Sequence, residues 1–368
     1  MSGQEAGVTL GRDALAVRWT SGESSVLPYL WLRDNCDCSD CRVEQTSEKR
    51  FMIKDVAVDL APAAVEFDAD LLMVTWPDGH QSRFAGSDIC RATSASRSHW
   101  SPWGADFEPP RIDYQRFLND DQQAAVIIAN FLRYGAIILE SAPTEPGTLE
   151  SLAPRLGPVR ELLFARIHDV AVDPAGYNVA HTAFELPPHN DFASYSWPPS
   201  VQALHMLVNE ATGGASVIVD GWRVLQQLRE DHPAMFDSLC RMPVPFREFD
   251  DDNETYAVAP LVRCDTDGNI VALRFSNQLM QRIDPTRPGV ADFYRAYHEL
   301  FRRLTADSAK ATFRMRAGDI LIVACHRVLH GRTGFDANGA RHLRDAYFDL
   351  DTVSNHLVVL SRRGAHVR

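Results

Sequence analysis

Two sets of residues in this 368-residue chain have the types and spacing to bind metal ions. The first is Pro187-Pro188-His189-Asn190-Asp191-Phe192, with a distant partner in Leu329-His330-Gly331-Arg332. Side chains alternate along an extended strand, so His189 and Asp191 project to the same side and can reach one ion. His330 can complete the set. Two imidazoles and one carboxylate on one face of a metal leave the opposite positions open, as in non-haem Fe(II) centres that admit a cosubstrate and dioxygen. His326 competes with His330, being four residues away on the same face of a strand, but the Leu-His-Gly-Arg context favours His330. His205 reads as a strand histidine within the protein rather than a ligand.

The second set is Cys36-Asp37-Cys38-Ser39-Asp40-Cys41. Three thiols within six residues can converge on one Zn(II), and His80, in a turn after a strand, is the expected fourth ligand; sequence alone leaves His99 open as well. Free thiols in a polar loop are the alternative. A bridge between Cys36 and Cys38 would span a single residue, which disulfide geometry disfavours. A zinc with four protein ligands has no open position, so its expected role is to staple a small domain.

These residues need a scaffold, and the composition supplies one. Apolar residues make up 45% and charged residues 23% of the chain, the balance of a folded globular protein. Lys+Arg 37 against Asp+Glu 49 gives a net charge of −12, and no basic run offers a nucleic-acid footprint. The length suggests two domains. Residues 1–6 show neither the basic nor the apolar region of a secretory signal, and no apolar run reaches the roughly 18 residues of a membrane span. Seven cysteines, an odd number with three crowded together, fit metal binding in a reducing compartment, so a cytoplasmic location is expected.

Short β-prone runs at 8–10, 16–19 and 71–76, with an Asp-Gly turn at 77–80, predict a small β-rich domain over residues 1–95. The Ser-, Trp-, Gly- and Pro-rich stretch from Ser94 predicts a linker over 96–112. A second domain then runs over 113–368. It opens with a helix over 120–134, in which Ala124, Ile127, Ile128 and Phe131 recur at helical spacing and Gly135 is the stop. Further helices are expected over 222–230 and 290–305, and strands over 136–139, 200–208, 216–219, 270–275, 320–323 and 346–350. Many short strands with few helices predict an α+β domain with a sandwich or barrel core.

The order Cys-x-Cys-x-x-Cys then His, followed by His189-x-Asp191, Thr212-Gly213-Gly214 and Val219-Asp220-Gly221, resembles γ-butyrobetaine hydroxylase and trimethyllysine hydroxylase. Leu329-His330-Gly331-Arg332 and Arg341-His342-Leu343 through Ala346-Tyr347 continue the likeness, which covers about residues 25–355. The resemblance implies a double-stranded β-helix (jelly-roll) oxygenase dependent on Fe(II) and 2-oxoglutarate, a zinc-binding N-terminal domain, and a homodimer. It carries the iron to His189, Asp191 and His330, the distal carboxylate of 2-oxoglutarate to Arg341, and further cosubstrate contacts to Leu204, Ser216 and Arg332. A guanidinium fork suits a carboxylate in two parallel hydrogen bonds. Related halogenases lack the carboxylate of Asp191, so this chain is expected to hydroxylate, or to use hydrogen abstraction for demethylation or cleavage.

The aligned substrate pocket departs from the pattern. Betaine-binding members surround a trimethylammonium with aromatic rings, and the matching positions here are Phe164, His168, His181 and Tyr347. Only Tyr347 matches. At the acid end, Asn178 and Asn277 match polar positions, while Phe192 stands where a tyrosine is expected. The expected substrate is therefore a small betaine- or amino-acid-like acid. A phosphonate or sulfonate in the same scaffold is the second reading, and a catalytically silent metal-binding or sensing protein is the third.

Overall fold

The computed structural model describes residues 7–93, 100–162, 165–172, 181–336 and 338–365, with side chains at 90–93 and 364–365 left aside. Phe164, Asn178 and His99, named above, lie outside the described residues. The chain divides into two compact units, Met1–Arg97 and Ser98–Arg368.

The first unit pairs two three-stranded antiparallel sheets, Gly7–Leu10, Ala14–Arg18 and Ser24–Pro28, and Ala64–Asp68, Leu71–Thr75 and Gln81–Ala85. Period-two burial of Leu15 and Val17, and of Leu72 and Val74, builds its core around Trp19 and Trp76. The expected Asp-Gly turn forms: Gly79 sits at φ 80°, a left-handed conformation that costs glycine little, and Trp76 N–H donates to the carbonyl of His80. The turn thus brings His80 back beside its own strand.

In the second unit, a six-stranded sheet runs in the order Arg111–Asp113, Ala136–Glu140, Ile320–Ala324, Val201–Asn209, Arg341–Phe348, His168–Ala171. A four-stranded sheet runs Leu186–His189, Val328–Arg332, Ser216–Asp220, Lys310–Phe313. All pairings are antiparallel except that of Arg111–Asp113 with Ala136–Glu140. Met206, Leu321, Val323 and Leu343 of the larger sheet share one core with Ile218, Ala311 and Val328 of the smaller, so the two sheets face each other. The opposite face of the larger sheet, with Val201, Ala203, Ala346 and Phe348, is covered by the helices Asp121–Tyr134 and Leu350–Ala365.

The helix Asp121–Tyr134 starts where Asp120 accepts from the N–H groups of Gln122 and Gln123, and stops at Gly135 with φ 79°. Helices Gly221–Asp231 and Val290–Leu304 also lie where periodicity puts them. Other expectations need correction. The segment from Ser98 is not free linker but part of the second unit: Trp103 is buried, stacks on Phe107 at 4.3 Å and donates to the Tyr134 carbonyl. One large buried indole outweighs the surrounding Pro and Gly. A further helix that the sequence reading did not include, Pro233–Arg241, follows directly, with Pro233 in its first turn, where the missing N–H costs nothing. The last strand spans Arg341–Phe348 rather than 346–350, and a helix begins at Leu350.

Candidate metal centres and substrate cavity

The pleat of the second unit decides which side chains meet. On the strand Val328–Arg332, Val328 packs inside the sandwich and Leu329 outside it, so His330 and Arg332 point inward. By the same alternation Arg341, Leu343, Asp345 and Tyr347 point inward from the facing sheet, as do Gln202 and Leu204. His189 pairs in register with His330. Gly331 permits that pairing, since a Cβ there would collide with the Leu186 carbonyl. The two imidazoles lie 4.5 Å apart.

Asp191 lies just beyond the strand, which ends at His189 and so does not carry both residues as the spacing suggested. The alternation survives nonetheless. Asn190 turns into the protein, its Oδ1 accepting from the Phe275 N–H and its amide donating to the Cys325 carbonyl, so its two neighbours face the other way. His189 Nε2 stands 3.2 Å from Asp191 Oδ1, and His330 Nε2 3.6 Å from Asp191 Oδ2. All three donor atoms lie within 4.8 Å of one another. His189 Nδ1 donates to the Pro187 carbonyl at 2.9 Å, which leaves the Nε2 lone pair for the centre.

A hydrogen-bond network fixes the carboxylate. Tyr347 Oη and Gln202 Nε2 each donate to Asp191 Oδ2 at 2.7 Å, Gln202 also donates to Asp345 Oδ2, and Tyr347 Oη lies 3.0 Å from that same oxygen. Burial opposes ionisation of Asp191, but electrostatic attraction to the His330 and His189 imidazoles and bonds from His189 and Tyr347 outweigh it and hold the carboxyl well below the usual range. Burial pushes the His330 imidazole down to about 4 against the pull of Asp191. An ionised Asp191 beside a neutral His330 suits a metal, whereas the same carboxylate raises the His189 imidazole, whose proton a bound metal would displace.

A cavity of about 160 Å³ opens on this cluster. His168, His181, Phe192, Leu204, Ser216, Arg332, Arg341 and Tyr347, all singled out by sequence, line it. Arg341 is buried, with its Nε lacking any hydrogen-bond partner, and burial together with Arg332 and Arg314 pushes its guanidinium down to about 10. Gly214 approaches this side chain so closely that a Cβ would stand 3.2 Å from Nε. Arg332 differs, since it donates to the carbonyls of Thr182 and Phe184. Asn277 is not brought to the cavity wall, and its Oδ1 accepts from Tyr297 Oη at 2.9 Å. His326 stands apart from the cluster, its Nε2 3.1 Å from the Pro198 carbonyl. Glu248, Asp345 and Gln202 escaped the sequence reading; alternation counted back from Tyr347 would have found Asp345.

In the first unit, His80 Nε2 lies 3.3 Å from the sulfur of Cys36, 3.7 Å from Cys38 and 3.5 Å from Cys41. A tetrahedral zinc with bonds of about 2.3 Å to sulfur and 2.0–2.1 Å to nitrogen sets its N and S ligands roughly 3.6 Å apart. The cluster therefore has the dimensions of such a site. Arg33, 6% exposed, donates to the Cys41 sulfur at 3.2 Å. Burial, then the charges of Cys36 and Cys38, push the Cys41 thiol up to about 11 against the pull of Arg33. All the described cysteines are free thiols.

A family model described as taurine catabolism dioxygenase TauD, TfdA family matches residues 95–347. A second, described as gamma-butyrobetaine hydroxylase-like, N-terminal, matches residues 9–85. A gamma-butyrobetaine dioxygenase of Pseudomonas sp. (strain AK-1) is 34% identical over 361 residues, covering 95% of this chain and 94% of that protein. The gamma-butyrobetaine dioxygenase of Homo sapiens is 30% identical, covering 98% and 97%. Among solved structures, an asparagine oxygenase in complex with Fe(II), 2S,3S-3-hydroxyasparagine and succinate superposes with a TM-score of 0.51 at 18% identity, over 65% of this chain and 93% of that one. The two facing sheets are thus a jelly roll of the oxygenase kind, as the motifs led us to expect. Among the described residues no helix is long and apolar enough to cross a membrane.

Proposed function

The chain belongs to the taurine catabolism dioxygenase TauD, TfdA family and is a 2-oxoglutarate-dependent dioxygenase, and from that premise we propose the roles of its residues and the nature of its substrate. His189, Asp191 and His330 hold Fe(II). The donor set supports this, because two imidazoles and a carboxylate converge from one side and leave the cavity side open. Arg341 receives the distal carboxylate of 2-oxoglutarate, for which a buried guanidinium with an unpartnered Nε is the complementary group. Leu204 and Ser216 line the path between them, and Arg332 positions the wall through its bonds to backbone carbonyls.

When bound, Fe(II) supplies the redox chemistry by which dioxygen and 2-oxoglutarate give succinate, carbon dioxide and a hydroxylated product. The chain does the rest. Tyr347 and Gln202 orient Asp191, the sandwich walls exclude water, and the cavity holds one C–H bond of the substrate against the metal face. The substrate is a small betaine- or amino-acid-like metabolite, supported by the named relatives and by a cavity of small-molecule size.

Cys36, Cys38, Cys41 and His80 hold a structural Zn(II). Three thiolates, one neutral imidazole and Zn(II) sum to one negative charge, and the buried Arg33 beside Cys41 supplies the balancing positive one. Residues 1–95 form this zinc-binding domain and the second unit the oxygenase domain. A homodimer and a cytoplasmic location complete the proposal, tested by light scattering and cell fractionation.

The observation that carries the reading is the convergence of His189, Asp191 and His330 in the cavity that also holds Arg341. The test is succinate release in the presence of Fe(II), 2-oxoglutarate and a panel of small zwitterions. Stimulated release supports it; no 2-oxoglutarate turnover by iron-loaded protein contradicts it.

A further inference from the structure

Glu248, His168 and Asp345 line the same cavity as the metal-binding cluster, and none has its hydrogen-bonding capacity filled. Glu248 Oε2, His168 Nε2 and Asp345 Oδ1 are each shielded from solvent without a hydrogen-bond partner. His168 and Asp345 are register partners on adjacent strands, with Nδ1 3.1 Å from Oδ1, an ion-pair distance at which the carboxylate raises the imidazole against the effect of burial. Asp345 is only 4% exposed. Polar atoms left this way inside a protein are uncommon and point to a partner that arrives from outside.

The aromatic groups here are arranged differently from a cage. The rings of His168, Phe192 and Tyr347 pack on one another, with Tyr347 nearly perpendicular to both of the others at centroid distances of 5.0 and 5.6 Å. Tyr347 is buried and its hydroxyl hydrogen is spent on Asp191. A cation bound by π faces needs those faces free. Among the described residues the rings of this group are turned toward each other, and beside Phe192 and Tyr347 the cavity wall carries a carboxylate and a His–Asp pair.

We propose that the substrate's cationic end carries N–H donors, as a primary ammonium does, and is held by Glu248, His168 and Asp345 through hydrogen bonds rather than by an aromatic cage. This rests on the reading of the cavity as the substrate site and narrows its substrate class. An ammonium offers N–H donors to Glu248 Oε2 and, with Nδ1–H turned to Asp345, to His168 Nε2, whereas a trimethylammonium offers none and would seal these atoms unsatisfied. Sites built to hydrogen-bond a donor discriminate strongly against the analogue that lacks it. With Asp191 committed to the metal and Asp345 paired with His168, Glu248 is the group that supplies the negative charge a cation requires. Burial, and then the charge of Asp191, push the Glu248 carboxyl up to about 7, and a cation against it relieves that unfavourable setting.

The test uses the anaerobic Fe(II) and 2-oxoglutarate form of the full chain, titrated with ω-amino acids of four to six carbons and with their N,N,N-trimethyl counterparts. Binding is read from the change in the visible chelate absorption, and kcat/KM from succinate release. At least one amine is expected to bind about tenfold or more tightly than its trimethyl counterpart. Glu248→Gln should bring that ratio close to unity, and His168→Trp, which offers an aromatic face, should shift it toward the quaternary compound. The proposal is overturned if the trimethyl compounds bind as well as the amines, if Glu248→Gln leaves the ratio unchanged, or if neither set binds. Failure of the oxygenase reading is distinct, showing itself as no chelate absorption before any substrate is added.

Discussion

Tyr347 Oη donates to Asp191 Oδ2 at 2.7 Å, reaching from the larger sheet of the jelly roll to a carboxylate that follows an edge strand of the smaller one. With Gln202 on the same oxygen, this bond sets the rotamer of Asp191 and keeps Oδ1 toward His189. Groups that orient metal ligands in this way typically change metal affinity by roughly 10–100-fold when removed. Tyr347→Phe should fold normally and bind Fe(II) about tenfold more weakly, Gln202 retaining part of the effect. Anaerobic Fe(II) titration measures this, and an unchanged affinity would show that Gln202 alone suffices.

Arg341→Lys keeps the charge but loses the planar fork. The apparent KM for 2-oxoglutarate should rise about tenfold or more, while the metal cluster stays intact. Succinate formation against 2-oxoglutarate concentration checks it. A KM equal to that of the parent would remove Arg341 from cosubstrate binding.

Much of this architecture was legible in the sequence where a physical signal was strong. Helical spacing of Ala124, Ile127, Ile128 and Phe131 with a glycine stop located one covering helix within a residue of its observed start. The His-x-Asp spacing located two members of the cluster, because alternation holds even where the strand itself ends at His189. What was hidden was hidden by polarity. The strand Arg341–Phe348 begins with Arg341, His342 and Arg344 and carries Asp345 inside, since its inner face lines a polar cavity rather than an apolar core. Apolar periodicity therefore picked up only its last part. Glu248 was missed for a related reason: its hairpin, Val244–Phe249 with Glu254–Ala259, mixes Pro, Arg and Glu into the alternation.

The cysteine cluster predicts a metal stoichiometry. Purified protein should contain one zinc per chain in addition to any iron, and Cys41→Ser should lose most of it. Structural zinc is worth on the order of 10 kcal/mol in small zinc-dependent folds, so residues 1–97 should then unfold many degrees lower. Metal analysis and scanning calorimetry measure both effects. Full stability without zinc would reduce the cluster to free thiols.

His205 predicts a pH dependence independent of the metal. Burial, then the charge of Arg344, push its imidazole down to about 4 from the ordinary 6.5. A depressed histidine binds its proton in the unfolded chain first, so stability is fully present above about pH 6.5 and is lost as pH falls toward 4. A shift of this size corresponds to at most about 3 kcal/mol. His205→Leu should lose correspondingly less stability than the parent between pH 7 and 4, read from urea unfolding at each pH. Parallel losses in the two proteins would show that the imidazole is already protonated in the fold.

The central claim is that His189, Asp191, His330 and Arg341 together hold Fe(II) and 2-oxoglutarate. Its most direct test is the visible absorption of the anaerobic protein on adding both, compared with Asp191→Ala. The parent should develop a weak charge-transfer band that requires both additions and is lost in the variant, together with substrate-coupled succinate release. A parent that binds iron yet develops no band, or an Asp191→Ala variant with undiminished band and turnover, would contradict it.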